Sequence, residues 1–168
     1  AVKKQDFLKL GMFQDPTGGW PNWDDVDFGY RATEEGFQIY RCASATAAHW
    51  DCSVTNFSFA VDRWYRAGKS APKFFQTHPA IKTSIPMFRD KEPINLRLDG
   101  KPLIIRKFTR MLISSPPIMW GMERAAIVLE HQIPDSKLLP LFYRWIISGH
   151  IYRGYRAGLK MGGMSSDD

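Results

Sequence analysis

The sequence predicts a mainly α-helical domain with a small β-hairpin, closed by a helical hairpin at the C-terminus and preceded by an extended aromatic arm. Three observations predict it. Long stretches after residue 27 lack turn punctuation, an Asp-Gly pair at 99–100 sits between alternating apolar residues, and Ser-Pro-Pro at 115–117 reads as a helix start.

Residues 1–30 read as the extended arm. Within GMFQDPTGGWPNWDDVDFGY (11–30), Pro16, Gly18, Gly19 and Pro21 interrupt any period. Trp20, Trp23, Phe28 and Tyr30 are interleaved there with Asp24, Asp25 and Asp27. That mixture predicts aromatics docked on a neighbouring basic surface. Residues 31–163 read as one mainly helical domain, and 164–168 as a flexible polar tail.

Asp27–Arg66 is the first long helical candidate. Its centre, Cys42–Val61, is twenty residues long with Asp51 as its one formal charge. Twenty residues can cross a bilayer as a helix. Small and hydroxyl residues dominate this stretch, however, and a central Asp costs about 2.5–3.5 kcal/mol on insertion. Two shorter helices broken near 51–53 are an equal expectation. Cys42 and Cys52, if on one helix, would stand about 15 Å apart, so they are expected to be free and buried.

Residues 68–93 contain Gly68, Pro72, Pro79, Pro86 and Pro93, together with five Lys/Arg. They predict a basic, Pro-rich loop. In INLRLDGKPLIIRKF (94–108), Ile94, Leu96 and Leu98 alternate with Asn95, Arg97 and Asp99, and Asp99-Gly100 suits a two-residue hairpin turn. The run DGKPLIIRKFT (99–109) is similar to a strand-turn-strand element of mitochondrial Rieske iron–sulfur proteins. The paired Cys and His ligands of that cluster have no counterparts here, so the likeness implies the hairpin alone.

Ser115-Pro116-Pro117 then predicts a helix to about Gln132, because Ser can cap it and Pro fits its first turn. Asp135 or Ser136 caps the next helix, in which Pro140 lies early enough to be tolerated. From Leu138 to Tyr152 that helix spans only about 22 Å, short of a hydrocarbon core of about 30 Å. Leu138, Leu141, Phe142, Trp145, Gly149 and Tyr152 follow one face, which predicts a docking helix. Gly154, Gly158 and Gly162 recur every fourth residue as a candidate packing stripe. Arg144, Arg153, Arg156 and Lys160 are candidate contacts to polar partner groups or lipid phosphates.

The 168 residues carry a net charge of +6, unevenly spread. Residues 1–36 hold four Lys/Arg against seven Asp/Glu, and residues 62–110 hold twelve against four. A basic middle suits an anionic partner. No phosphate loop, nucleophile elbow or Cys/His metal spacing is present, so neither cofactor nor metal is expected. Glu123, Glu130 and His131 share one predicted helix, but His131 turns about 100° away from its neighbour.

The features together point to a non-catalytic accessory subunit of a membrane-associated assembly. The expected setting is a respiratory complex or ATP synthase of the mitochondrial inner membrane, with protein subunits and anionic phospholipid as partners. A basic organellar ribosomal or RNA-associated protein is the alternative, with Lys101, Arg106, Lys107, Arg110 and Phe108 as its RNA contacts. A small soluble enzyme is the third, with Asp51, His49 and Arg63 as its first candidates.

Overall fold

The computed structural model describes residues 2–15, 23–48, 56–85 and 88–163. Among them are α1 (Lys4–Lys9), α2 (Asp24–Glu34), α3 (Phe57–Thr77), α4 (Pro79–Ser84), α5 (Lys101–Ile113), α6 (Pro116–Gln132) and α7 (Leu139–Gly163). The mainly helical class holds, and no strand occurs among the described residues.

The predicted β-hairpin is therefore corrected to a turn that starts α5. Asn95 accepts from the amides of Arg97 and Leu98 through its side chain, at 3.0 and 3.2 Å, while its own amide donates to Asp99 Oδ2 at 2.8 Å. These local bonds curl the chain where a strand would extend it. Lys101 and Pro102 then occupy the first helical turn, where a missing N–H costs nothing. Lys107 reaches back to Asp99 Oδ2 at 2.6 Å and to the Pro93 carbonyl at 2.9 Å, locking the turn to the helix. Leu96 and Leu98, the inward face of the supposed strand, are exposed.

The expected extended arm also needs correcting. Residues 4–9 and 24–34 are helical, and Phe7, Phe13 and Phe28 form a triangle of rings with every pair of centroids 5.3 Å apart. Arg31 of α2 donates to the carbonyls of Leu10 and Met12, which ties α1 to α2. Helix α2 ends at Glu34, so the long helix expected over 27–66 is interrupted. Cys42 lies in the non-helical stretch that follows and is exposed rather than buried.

Helix α3 is capped by Asn56, whose side chain accepts from the amides of Ser58 and Phe59. It then runs through Gly68 and Pro72, where a loop is expected from sequence. An interior Pro costs a helix about 3 kcal/mol. Helical continuation buries Ala71, Phe74 and Phe75, and two buried Phe contribute about 3–6 kcal/mol, enough to offset it.

Helices α3 and α7 form the most extensive interface and run parallel: Phe57 meets Tyr143, Gly68 meets Ile151, and Gln76 meets Gly162. α6 lies antiparallel to α7, forming the expected helical hairpin. One core gathers Trp23, Phe74, Phe75, Phe88, Ile151 and Tyr155, and a second gathers Met119, Ala126, Leu139 and Ile146. The face expected to dock α7 is turned outward at Leu138, Leu141 and Trp145. Leu139, Ile146 and the glycines face inward instead.

Candidate functional site

The best-formed combination of titratable groups and open space lies among α3, α6 and α7. His150 Nε2 and Glu123 Oε1 are 2.8 Å apart. They border a groove of about 420 Å³ walled by Phe57, Val61, Tyr65 and Ile127. Asp62, also at the groove, pairs with Arg66 at 2.6 Å. A His oriented by a carboxylate beside an apolar wall is the arrangement from which proton-transfer sites are built.

Of the three α6 residues Glu123, Glu130 and His131, which sequence spacing does not assemble into a site, Glu123 meets a histidine, and it is His150 rather than His131. His131 Nδ1 instead faces the Ile127 carbonyl at 2.8 Å. Glu130 accepts from the Tyr143 hydroxyl; burial first, then that bond, pushes the phenol up. Glu123 with His150 and Glu130 with Tyr143 are both mirror positions about the α6–α7 turn. Hairpin symmetry was the signal in the sequence that could have paired them.

A second acid–imidazole pair ties α2 to the end of α3. Asp27 is buried and lies 2.8 Å from both Arg31 Nε and His78 Nε2. The Tyr30 and Phe74 rings flank His78, at 4.9 and 5.1 Å between centroids. With its carboxylate engaged on both sides and its imidazole wedged between rings, this pair holds elements together.

A third polar centre joins the 88–100 segment to α5 and α7. Asp90 lies 3.1 Å from Lys91 Nζ and 3.0 Å from an Arg110 terminal nitrogen. Arg110 also donates to Ser148. Burial pushes the Asp90 carboxyl up, but Lys91 and Arg110 outweigh it and hold it below the usual carboxylate range. Burial depresses the Lys91 ammonium, with Asp90 opposing and Arg110 adding to the effect. Nearby, the Tyr155 hydroxyl donates to Glu92, which also pairs with Lys82 at 2.7 Å. Burial and that carboxylate push Tyr155 far above the ordinary phenol range.

The other sequence-predicted residues are dispersed. Gly154 and Gly158 lie against the α3 backbone at Tyr65 and Lys69, and Gly162 lies beside the Gln76 side chain. Trp23 is buried, stacked on Phe74 at 4.9 Å, and its indole N–H lies 3.1 Å from Ser70 Oγ. Phe28 belongs to the N-terminal ring triangle, and Tyr30 sits against His78. These aromatics thus meet surfaces of this chain. Arg144, Arg153 and Lys160 are exposed and Arg156 half-buried, and helical rotation places Arg153 about 180° from Arg144. Arg63 is exposed on α3. Trp20, His49, Asp51 and Cys52 lie outside the described residues.

No family model matches the chain, and neither a curated protein nor a solved structure matches it.

Proposed function

We propose that the chain is a non-catalytic accessory subunit that seats on neighbouring subunits of a membrane-associated assembly, with the mitochondrial inner membrane as the expected setting. One observation carries the reading. Large apolar side chains on α5, α6 and α7 lie outside both cores at helical spacing. Ile105, Phe108 and Leu112 recur on α5, Trp120 and Ile127 on α6, and Leu141 and Trp145 on α7, with Leu138 just before it. Ile105 is 64% exposed and Trp120 63% exposed. Covering such faces stabilises an interface by about 25 cal/mol for each Å² of apolar surface removed from water.

None of the helices, over the described residues, is long and apolar enough to cross a membrane. Attachment through protein surfaces therefore fits this reading better than attachment by a span of these helices. The titratable pairs support a structural role, since each ties two segments together: α2 to α3, α6 to α7, and the 88–100 segment to α5. The RNA reading is weaker, because Lys107 and Arg110 are engaged by Asp99 and Asp90.

Affinity purification of the tagged full chain in mild detergent tests the proposal. The parent chain should co-migrate with a large assembly, and the Phe108→Asp/Trp120→Asp double variant should leave it while keeping its helical spectrum. Recovery of the parent as a free monomer under those conditions would sink the reading.

A further inference from the structure

We infer that a phosphate group binds between α5 and α7, in the cavity formed by Arg110, Arg144 and Ser148. The proposal goes beyond the assembly role and does not depend on it. The cavity measures about 270 Å³ and is completed by Leu141 and Trp145. Helical periodicity brings Leu141, Arg144, Trp145 and Ser148 onto one face of α7, at i, i+3, i+4 and i+7. Arg110 approaches that face from α5.

The cations there exceed the local carboxylate. Asp90 pairs with Arg110 but is shared with Lys91. Arg144, whose side chain borders the same cavity, makes no ion pair among the described residues. The Arg110 guanidinium has five N–H donors. Asp90 and Ser148 each engage one of its terminal nitrogens, and Nε is buried with no partner among the described residues. Because Ser148 accepts from Arg110, its own hydroxyl proton is left for a ligand.

Two guanidinium groups and a hydroxyl donor present more donors and more charge than one carboxylate can meet. A phosphate carries up to two negative charges and several acceptor oxygens, and Arg suits it by geometry. The size argues in the same direction, since pockets for drug-sized ligands run to about 300–1,000 Å³. This cavity fits a phosphate and a short attached group. The Trp145 ring and Leu141 give such a group an apolar wall. Free phosphate esters and phospholipid headgroups share this chemistry.

The full chain should be titrated calorimetrically with inorganic phosphate. It should also be co-sedimented with phosphatidylcholine vesicles, with and without phosphatidylglycerol. Arg144→Gln and Ser148→Ala test the site, and Arg153→Gln on the opposite side of α7 is the control. Arg144 is exposed, so its loss leaves folding intact, whereas Arg110→Gln disturbs the Asp90 network.

Phosphate binding that Arg144→Gln weakens about tenfold or more, with Arg153→Gln unchanged, supports the site. Binding to phosphatidylglycerol vesicles with the same sensitivity also supports it and identifies a headgroup as the source. No binding to either probe overturns it. Equal losses in Arg144→Gln and Arg153→Gln overturn it too, since they show diffuse charge attraction. Release from the large assembly leaves these titrations unaffected, so the two proposals fail separately.

Discussion

Gly158 of α7 lies against the carbonyl of Lys69 in α3: a Cβ added to it would stand 2.1 Å from that oxygen and 3.0 Å from the Pro72 ring. The parallel pairing of these helices depends on that close approach. Gly158→Ala must force the backbones apart, and a loss of about 2–3 kcal/mol is expected from urea denaturation. Gly121→Ala is the contrasting case. Gly121 is exposed on α6, with nothing within 4 Å of the added Cβ, so the change should stabilise by about 0.8–1 kcal/mol through helix propensity. Equal effects at the two sites would refute the packing argument.

Trp23 secures the start of α2 to α3. Its ring stacks on Phe74, and its N–H lies 3.1 Å from Ser70 Oγ and 3.2 Å from the Ala67 carbonyl. Trp23→Ala should cost about 3–5 kcal/mol in thermal or chemical unfolding. Trp23→Phe retains an aromatic ring against Phe74 but removes the donor, so it should fall well short of that loss.

Acid should weaken the Asp90 centre. Its carboxyl is held below the usual range, so as pH falls the unfolded chain takes up the proton first and stability drops. The contribution is present above the unfolded pKa, about 4, and is lost as pH falls through the lower folded value. Asp90→Asn should cost about 2 kcal/mol at pH 7, less than the 3–5 kcal/mol typical of a fully buried pair because the side chain keeps some solvent. The gap between parent and variant should close in melts below about pH 4. A constant gap across the titration would show that charge pairing is not the cause.

The turn before α5 gives a local test. Asn95→Ala removes the side-chain acceptor for the amides of Arg97 and Leu98, while Leu98 keeps its bond to the Asn95 backbone carbonyl. Hydrogen exchange at the Arg97 amide should accelerate, while the second half of α5 keeps its protection. A gain of strand signal at 94–108 would instead restore the hairpin reading.

Local chemistry made α6 and its turn into α7 legible from sequence. Ser115-Pro116 at the start of α6 and Pro134 after Gln132 act within a few residues, and the helix boundaries follow them closely. The same symmetry could have matched Glu123 with His150. Tertiary structure decided the rest. Pro72 reads as a break until the burial of Phe74 and Phe75 offsets it, and the alternation at 94–98 reads as a strand until Asn95, Asp99 and Lys107 close a turn.

The sequence by itself determined a helical chain with a C-terminal hairpin and a glycine-spaced last helix. Only the tertiary structure decided which face of that helix is inside. α7 carries large apolar residues on more than one side, so periodicity alone could not choose. The glycines let α3 approach most closely on theirs, and Leu141 and Trp145 were left beside Arg144 on the outside.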